Sequence, residues 1–461
     1  MKIKLIAPHA RSENSISSAE TFKLQRVNLP LLAALTPPEH GVTLVDEAFG
    51  PDKIDEEVDL VGITVMSDLA LRAYQIADTY RRRGVKVVLG GTHATVLPTE
   101  ALAHADAVVV GEAEEVWPKL LSDAASGGMK RIYRATQLSG LENLPRPRRD
   151  LLPKTRDRGY TPTAICIETA RGCPYDCEFC SVGAVAGHRQ RCRSVSDVIA
   201  EIESIDSPTL FFTDDAFALD RVRAKRLFEE MIPLQRRWVG QGTVSLAEDV
   251  GLLRAMRRSG CVGLLIGFES VQKEPSSGLR KINRLRIDFA EATRRFHEEG
   301  ITVLGAFVFG FDHENRNVFD ETYEFIMRCR IDCVELRILT PFPGTRLYSR
   351  LLKEGRLFLP QWWLRGYPPD TLLFQPKEMT PEELIEGFAR LNRGVYSYAA
   401  IVRRFFGMSP WKRTVLSSRA YAGFNLATRK RYLKSITIPQ PFAGSLDFAA
   451  QDKPERLSGS L

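Results

Sequence analysis

Short runs of apolar residues alternate with segments of helical spacing through the first third of the chain. Runs rich in Val, Ile and Leu predict strands at residues 2–7, 43–46, 60–66, 86–89 and 107–110. Between the third and fourth runs, a helix is predicted at residues 68–83, with one face formed by Leu69, Ala73, Ile76, Ala77 and Tyr80. Nearly continuous apolar strands separated by helices are typical of a buried parallel sheet. We therefore expect residues 1–135 to form an α/β domain that binds ligands at the carboxyl ends of its strands.

The same alternation returns after a proline-rich, basic stretch at residues 144–153, which indicates an extended linker over residues 136–159. Helical segments then separate six strands, predicted at residues 162–169, 209–213, 239–244, 263–267, 302–309 and 333–339. Six parallel strand–helix units close only part of an eight-stranded barrel. The pattern therefore predicts a partial (β/α)6 barrel over residues 160–350, with functional groups at the carboxyl ends of its strands.

Residues 351–461 are predicted to be mainly helical, and they carry much of the net charge of +7. Residues 388–442 contain eleven Lys or Arg, interleaved with aromatic residues, and no Asp or Glu. The plain interpretation is a solvated helical face with a charge bias. The alternative is contact with an anionic membrane surface or an apolar, lipid-like substrate. No compact nucleic-acid motif is visible, so we expect no nucleic-acid partner.

Composition bounds the class of protein. Hydrophobic residues at 44% and charged residues at 26% are typical of globular domains, and 461 residues suggest two or three of them. No apolar stretch approaches the ~20 residues of a membrane span, and the first apolar run is too short for a secretory signal. Eight Cys without paired spacing favour a reducing compartment. We therefore expect a cytoplasmic protein. The basic segment suggests an alternative, in which the protein attaches to the periphery of a membrane.

The chemistry of the chain centres on Cys173, Cys177 and Cys180, spaced C-x3-C-x2-C. Three thiolates on a four-iron cluster leave one iron open to a substrate or cofactor. Unrelated buried thiols are one alternative. A structural zinc site is another, with His188 or Cys192 as the fourth ligand, and it would make the chain a zinc-stabilised binding protein. The spacing favours the open cluster, because a zinc site more often combines two C-x2-C pairs.

With Phe179 directly before the last cysteine, this stretch resembles the signature of the radical S-adenosylmethionine (SAM) enzymes. The resemblance implies a [4Fe–4S] cluster whose open iron chelates SAM. It also implies cleavage of SAM to a deoxyadenosyl radical, and an external electron donor of the flavodoxin or ferredoxin type. A partial barrel is the fold of that family.

Three further stretches resemble SAM-contacting motifs of the family, at the second, fourth and fifth strands: residues 211–216, 265–270 and 305–310. The stretch at the second strand, residues 211–216, lacks the Gly-Gly-Glu run of many relatives, so only a backbone role for Thr213 carries over. For Asp214, a helix N-cap is the alternative to a ligand contact. Polar residues after the third strand suit ribose hydroxyls. The residues predicted to contact SAM are Phe179, Thr213, Asp214, Gln241, Ser245, Glu269 and Gly310.

The N-terminal domain resembles the Rossmann-like cobalamin-binding domain of a large radical SAM subfamily. The residues predicted to contact cobalamin end four strands: Pro8, His9, Met66, Ser67, Gly90, Gly91, Thr92, His93, Gly111 and Glu112. The alternative is that the glycines only close strand-to-helix turns. The D-x-H-x-x-G motif of domains that supply an axial histidine is absent after the first strand. Taken singly, His93 and His104 are expected in loops or at the surface.

Over about residues 1–350 the chain resembles the cobalamin-dependent radical SAM methylases, which include hopanoid and bacteriochlorophyll side-chain methylases. The resemblance implies transfer of a methyl group through methylcobalamin to an unactivated carbon of a small-molecule substrate, lipid-like or tetrapyrrole in kind. Cobalamin-assisted rearrangement or cyclisation without methyl transfer is the alternative. The sequence assigns no residue to proton or hydrogen transfer.

Overall fold

The computed structural model describes residues 1–9, 24–54, 56–135, 138, 140–142, 144–152, 164–272, 287–366, 371–408, 413 and 415–434. Within them the strands are β1 (Lys2–Ala7), β2 (Leu24–Gln25), β3 (Gly41–Asp46), β4 (Leu60–Thr64), β5 (Lys86–Gly90), β6 (Ala107–Val110), β7 (Ile132–Arg134), β8 (Ala164–Ile167), β9 (Ala170–Arg171), β10 (Arg191–Cys192), β11 (Thr209–Phe212), β12 (Arg237–Gly242), β13 (Cys261–Glu269), β14 (Thr302–Phe309) and β15 (Cys333–Ile338).

The helices of the two α/β units are α1 (Asn28–Ala34), α2 (Ala70–Arg82), α3 (Thr92–Val96), α4 (Pro98–Ala103), α5 (Trp117–Ala125), α6 (Val182–Ala186), α7 (Val195–Glu203), α8 (Arg221–Met231), α9 (Val250–Arg258), α10 (Phe289–Glu298) and α11 (Val318–Cys329). The C-terminal helices are α12 (Arg346–Lys353), α13 (Pro381–Val395), α14 (Tyr398–Phe405) and α15 (Val415–Lys434). Among the described residues, no helix is long and apolar enough to cross a membrane.

The first sheet is parallel and confirms the fold predicted for the N-terminal third. In the described part of the chain its strand order is β3–β1–β4–β5–β6–β7. The predicted helical face of α2 is buried, with Ala73, Ala77 and Tyr80 fully covered. Helices pack on both sides of the sheet, because its strands carry apolar residues on both faces.

The second sheet confirms the partial barrel, with one addition. Its strand order among the described residues is β15–β14–β13–β12–β11–β8–β2, all parallel. The addition is β2, which lies in the sequence of the N-terminal domain yet pairs with β8 through Leu24 and Ala164. The sequence predicted no strand there, because two residues are too few for a period to show. The domain boundaries themselves stay predictions.

Alternation along the barrel strands separates a packed face from an open one. In β14, Val303, Phe307 and Phe309 are buried against helices, whereas Ala306 and Val308 are only partly covered. A period of two places these two sets on opposite faces of the sheet. The inner face of the partial barrel therefore remains accessible at its mouth.

The basic C-terminal segment is not simply a solvated face. Arg404 and Arg413 are buried. Arg404 donates to the carbonyl of Asp332 at 2.8 Å, and Arg413 pairs with the Asp332 carboxylate, which also accepts from His297 at 2.7 Å. A fully buried carboxylate requires such partners. These two cations therefore hold the C-terminal helices against the end of the barrel sheet.

Candidate active site

The cluster loop, residues 172–190, lies between the two strands of the small antiparallel hairpin β9–β10. Its three cysteines, Cys173, Cys177 and Cys180, are half-buried. The amide of Cys180 donates to the carbonyl of Cys177 at 3.1 Å, which closes a tight turn between the last two. Gly172 has φ +85°, and a side chain there would collide with the backbone of Arg189. The hairpin thus forces a compact loop with three thiols near its surface.

The remaining cysteines are poor candidates for ligands. Burial raises the pKa of Cys166 and of Cys333 to about 12, and it raises the pKa of Cys192 as well. A metal ligand must be a thiolate, which a raised pKa opposes. In the described part of the chain, no three His, Cys, Asp or Glu side chains stand close enough to hold a single metal ion. The three ligands of a four-iron cluster bind three separate irons, so the donor set of the loop fits the cluster.

One side of the cluster loop is fixed by helix α12. The amide of Leu347 donates to the carbonyl of Glu178 at 3.0 Å. Arg350 donates to the carboxylates of Glu178 at 2.6 Å and Asp312 at 2.5 Å. Because Glu178 stands between two cluster cysteines, these bonds determine where the loop lies over the barrel.

The other side of the loop is held by the N-terminal domain, through what we call the interdomain clamp: Glu112, Glu114, Arg171 and Arg191. Arg191 donates twice to the Glu112 carboxylate, at 2.6 and 2.8 Å. Arg171 pairs with Glu114 at 2.6 Å and with Glu112 at 3.5 Å. Burial raises the pKa of Glu112, but the hydrogen bond from Arg191 and the charge of Arg171 outweigh it, so the pKa lies below the ordinary 4.5. The clamp therefore joins the end of β6 to the hairpin that carries the cluster loop.

A buried network joins the same domain to the C-terminal segment and corrects the expectation for His93. Its side chain is fully buried rather than at the surface, and its ring nitrogens lie 3.0 Å from Ser67 and 3.0 Å from Glu100. Glu100 also accepts from Tyr74 at 2.9 Å and Trp363 at 3.0 Å. His93 thus links the carboxyl end of β4 to an indole from beyond the barrel. The other histidine, His104, is half-buried and bonded to Asp78 at 3.0 Å.

The residues predicted to contact cobalamin meet at one edge of the first sheet. Residues 8–9, 66–67, 90–93 and 111–112 follow β1, β4, β5 and β6, which are neighbours in the sheet. Gly91 is required by the turn itself, since φ is +96° and a side chain would meet Val65 at 2.9 Å. The turn does not require a glycine at position 90, because the atom nearest to a Cβ added to Gly90 lies 3.6 Å away, on Val109. With Met66 46% exposed beside it, this edge fits a large ligand that approaches the backbone.

Asp214 organises the carboxyl ends of β8 and β11. Its carboxylate accepts from the amide and the hydroxyl of Thr169, at 2.6 and 2.5 Å, and burial raises its pKa to about 7. It does not cap a helix, as the alternative interpretation expected, because the N-cap of α8 is Asp220. Gln241 donates to the carbonyl of Asp214 at 3.1 Å. The amide of Thr213 donates to Ile167 at 2.9 Å.

The remaining predicted SAM residues line the same mouth. Ser245 lies 2.7 Å from Thr243 in a short helical turn after β12. Phe179 stacks edge-on against Phe311, with ring centroids 5.7 Å apart. Glu269 ends β13 with φ +61°, next to an irregularity in the pairing with β14. A non-glycine residue in that conformation costs ~1–3 kcal/mol, and such strain is typical of functional positions.

Glu314 is a site residue that the sequence did not reveal. It is fully buried and accepts from the amides of Gly310 and Phe311, at 2.7 and 3.0 Å, and from Ser270 at 2.5 Å. Burial raises its pKa to about 7 despite these bonds. It thereby joins the carboxyl ends of β13 and β14 and holds Gly310 in place. The one available signal was an acid four residues after a strand-ending glycine, which is too common to interpret.

The mouth of the barrel, the cluster loop and the glycine-lined sheet edge are the features of one class of protein. Models of two families match the chain: the B12 binding domain over residues 34–121 and the radical SAM superfamily over residues 167–326. The chain belongs to the radical SAM family and is one of its cobalamin-dependent members. Its cofactors are a [4Fe–4S] cluster, SAM and cobalamin, and its reaction takes a small-molecule substrate and a reductant.

Within that class the chain is similar to methyltransferases. Bacteriochlorophyllide d C-12(1)-methyltransferase of Chlorobaculum tepidum is 30% identical over 87% of this chain and 89% of its own length. Bacteriochlorophyllide d C-8(2)-methyltransferase of the same organism is 31% identical over 72% and 77%. The chain is therefore a radical SAM enzyme of the cobalamin-dependent methyltransferase type, which displaces the zinc-stabilised binding protein as an alternative.

A solved structure has the same fold. TsrM from Kitasatospora setae, a radical SAM methyltransferase solved with tryptophan substrate and a SAM analogue, superposes with a TM-score of 0.65 at 15% identity. The match covers 94% of this chain and 98% of TsrM. At this identity the likeness concerns the architecture, and it confirms the order of a cobalamin-binding domain followed by a partial barrel.

Proposed function

We propose that this chain methylates an unactivated carbon on a tetrapyrrole-type substrate. The observation that carries the proposal is the interdomain clamp. It joins the edge of the first sheet where cobalamin is predicted to bind to the cluster loop at the mouth of the barrel. Together the bound cofactors supply hydrogen removal from a carbon and delivery of a methyl group to it. The chain's own residues hold these groups close together and exclude water.

The residues on the inner face of the barrel favour a flat, largely apolar substrate. Partly covered positions on β13 and β14 are small or aliphatic: Gly267, Ala306 and Val308. On β15, Arg337 and Glu335 face the same side and are paired at 2.6 Å. A macrocycle with carboxylate side chains combines an apolar face with a charged edge, as this surface does. The two Chlorobaculum relatives act on bacteriochlorophyllide d, as their names state.

Product analysis tests the proposal. Anaerobic enzyme, reconstituted with iron, sulfide and hydroxocobalamin, would be incubated with SAM, a reductant and bacteriochlorophyllide d, with a hopanoid as the comparison substrate. We expect a product heavier by one CH2 group, and one S-adenosylhomocysteine for each 5′-deoxyadenosine. Deoxyadenosine without S-adenosylhomocysteine would contradict methylation and support rearrangement or cyclisation. Cys177→Ala is the control, because loss of a cluster ligand should abolish deoxyadenosine formation.

For the reductant, we propose a flavodoxin or ferredoxin. A protein donor has to approach the cluster loop, and the half-buried thiols of that loop suit electron transfer over a short distance. Reduction of the cluster by purified flavodoxin, followed by its electron paramagnetic resonance (EPR) signal, tests this. A chemical reductant that works where both carrier proteins fail would contradict it.

We further propose that the C-terminal segment attaches to an anionic membrane surface. Exposed apolar residues stand among basic ones there: Val402, Phe406 and Leu426 are 57%, 58% and 48% exposed, and Arg403 and Arg419 are exposed as well. Combined basic and apolar surface is typical of interfacial helices. Flotation with anionic but not with neutral vesicles is expected, and equal behaviour on both would contradict the proposal.

A further inference from the structure

A surface that combines apolar and basic side chains lies beside the cluster loop. We call it the loop-side face, and it consists of Ile132, Arg134, Leu138 and Arg189. Ile132 and Leu138 are 41% and 42% exposed, although isoleucine and leucine are among the residues most often buried. Both arginines are exposed as well. Apolar side chains flanked by arginine are a combination that protein–protein interfaces use.

The loop-side face touches the backbone that holds a cluster cysteine. A Cβ added to Gly187 would lie 2.5 Å from the Cδ1 atom of Leu138, so Leu138 packs directly on that glycine. The carbonyl of Gly187 accepts from the amide of Cys173 at 3.2 Å. Arg189 follows Gly187 by two residues, which limits the separation of their Cα atoms to about 7 Å. A single residue therefore separates Leu138 from a predicted ligand of the cluster.

Strand β7 brings the rest of the face to the same place. It is the edge strand of the first sheet in the described part of the chain, and Arg134 pairs in register with Val110 of β6. Two residues after Val110, Glu112 joins the interdomain clamp. Since side chains alternate along a strand, Ile132 and Arg134 lie on one side of β7 and the buried Tyr133 on the other. The clamp thereby places the exposed side of β7 next to the hairpin of the cluster loop.

The charge of the loop-side face is positive and unbalanced. Among the described residues, Arg134 and Arg189 form no ion pair, and neither does the exposed Arg131 directly before β7. Glu142, an exposed acid four residues after Leu138, can offset only one of these charges. Cations on an edge strand oppose pairing with strands of other chains, which accounts for β7 but not for Arg189 in its loop. Unpaired cations that share one surface attract an acidic partner and raise the rate of encounter.

We propose that the loop-side face binds the protein that reduces the cluster, a small acidic electron carrier. The inference rests on the proposed flavodoxin or ferredoxin donor and adds where on this chain the donor binds. Carboxylates of the carrier pair with Arg134 and Arg189, and Ile132 and Leu138 pack against the apolar surroundings of its redox centre. One electron passes from the carrier to the cluster, and no bond forms or breaks. The contact of Leu138 with Gly187 keeps the path from the surface to the cluster loop short.

Binding of purified oxidised flavodoxin to the reconstituted holoenzyme tests the face. Fluorescence anisotropy of labelled flavodoxin would give the affinity at several salt concentrations. The double variant Arg134→Gln/Arg189→Gln removes both charges, and Leu138→Asn removes the apolar contact. Arg258→Gln is the matched control. Arg258 is exposed, forms no ion pair in the described part of the chain, and ends α9 just before β13, at the end of the barrel opposite the cluster loop.

Electron transfer would be measured beside binding. Stopped-flow absorbance would follow reduction of the cluster by reduced flavodoxin and, separately, by photoreduced deazaflavin, a small reductant that needs no docking surface. Each variant would first be checked for iron content and thermal midpoint.

We expect the double variant to bind flavodoxin about 3- to 30-fold more weakly, with a shallower dependence on salt, because two exposed ion pairs are lost. Leu138→Asn should weaken binding about 3- to 10-fold and leave the salt dependence unchanged, since only apolar contact is removed. Reduction by subsaturating flavodoxin should slow by the same factors. Reduction by deazaflavin should match wild type in every variant, and Arg258→Gln should match it throughout.

Four outcomes would contradict the assignment. Flavodoxin binding within about 2-fold of wild type in the double variant would overturn it, and so would an equal loss in Arg258→Gln. A wild-type dimer that the double variant dissociates in analytical ultracentrifugation would assign the face to a second copy of the chain. If the double variant loses iron, Arg134→Gln/Leu138→Asn, which lies outside the cluster loop, decides the same comparison. Wild-type enzyme that is reduced by deazaflavin but by neither flavodoxin nor ferredoxin would contradict the proposed reductant itself, and the face with it.

Discussion

Removal of the charge on Glu112 should loosen the contact between the cobalamin edge and the cluster loop. The Glu112 side chain is 7% exposed and that of Arg191 is 13% exposed, so the pair is close to the buried limit. Removal of one partner from a buried pair costs ~3–5 kcal/mol, because the other charge stays behind in a poorly solvated place. The slight exposure lowers this, and we expect about 3 kcal/mol for Glu112→Gln.

Hydrogen exchange at the hairpin β9–β10 is the assay. Since 1.4 kcal/mol corresponds to tenfold, about 3 kcal/mol predicts exchange of the hairpin amides roughly 100-fold faster, with β13 and β14 unchanged. Arg191→Gln and the double variant complete a cycle that isolates the pair. Glu57→Gln is the control, because that side chain is 94% exposed. Because the folded-state pKa of Glu112 lies below its ordinary 4.5, the coupling should be complete above pH 4.5 and lost as the pH falls below it. Strictly additive effects in the cycle, or unchanged exchange in Glu112→Gln, would refute the clamp.

Three further variants test individual acids, two of them buried and one half-buried. Glu314 keeps its proton in the folded state up to about pH 7 against an ordinary 4.5, so its contribution to stability should fall by about 3 kcal/mol as the pH rises between these values. Glu314→Gln should remove that slope in denaturant titrations, while Asp214 keeps its own; a slope identical to wild type would contradict this. Asp332→Asn strands Arg413 and should destabilise by ~3–5 kcal/mol in the same titrations, and a loss under 1 kcal/mol would argue against the buried pair. Glu269→Gly should relieve backbone strain of ~1 kcal/mol and weaken SAM binding, whereas unchanged SAM affinity would show that the strain serves packing alone.

The spacing of apolar residues was sufficient to predict most strands and helices. It could not predict features that depend on contacts between distant parts of the chain. The strands β4, β6 and β14 could be predicted because their apolar runs are nearly continuous. Single polar residues were harder. His93 looks like a loop histidine in the sequence, and only the distant Trp363 and Glu100 explain why it is buried.

The burial of charged side chains was the property hardest to predict from the sequence. A basic window indicates a charged surface, yet Arg404 is buried against backbone carbonyls and Arg413 against the carboxylate of Asp332. No local pattern in the sequence announces such partners, because they come from a different part of the chain. For the same reason, Glu314 finds its partners only where the ends of β13 and β14 meet.

The short strand β2 has a consequence for how the protein is made. Leu24 and Gln25 complete the edge of the barrel sheet beside β8, although they leave the ribosome long before the first barrel strand does. A barrel produced without residues 24 and 25 would expose the backbone groups of β8, and open sheet edges recruit strands from other chains. A barrel produced by itself would therefore lack one strand of its own sheet, although that strand lies in the sequence of the N-terminal domain.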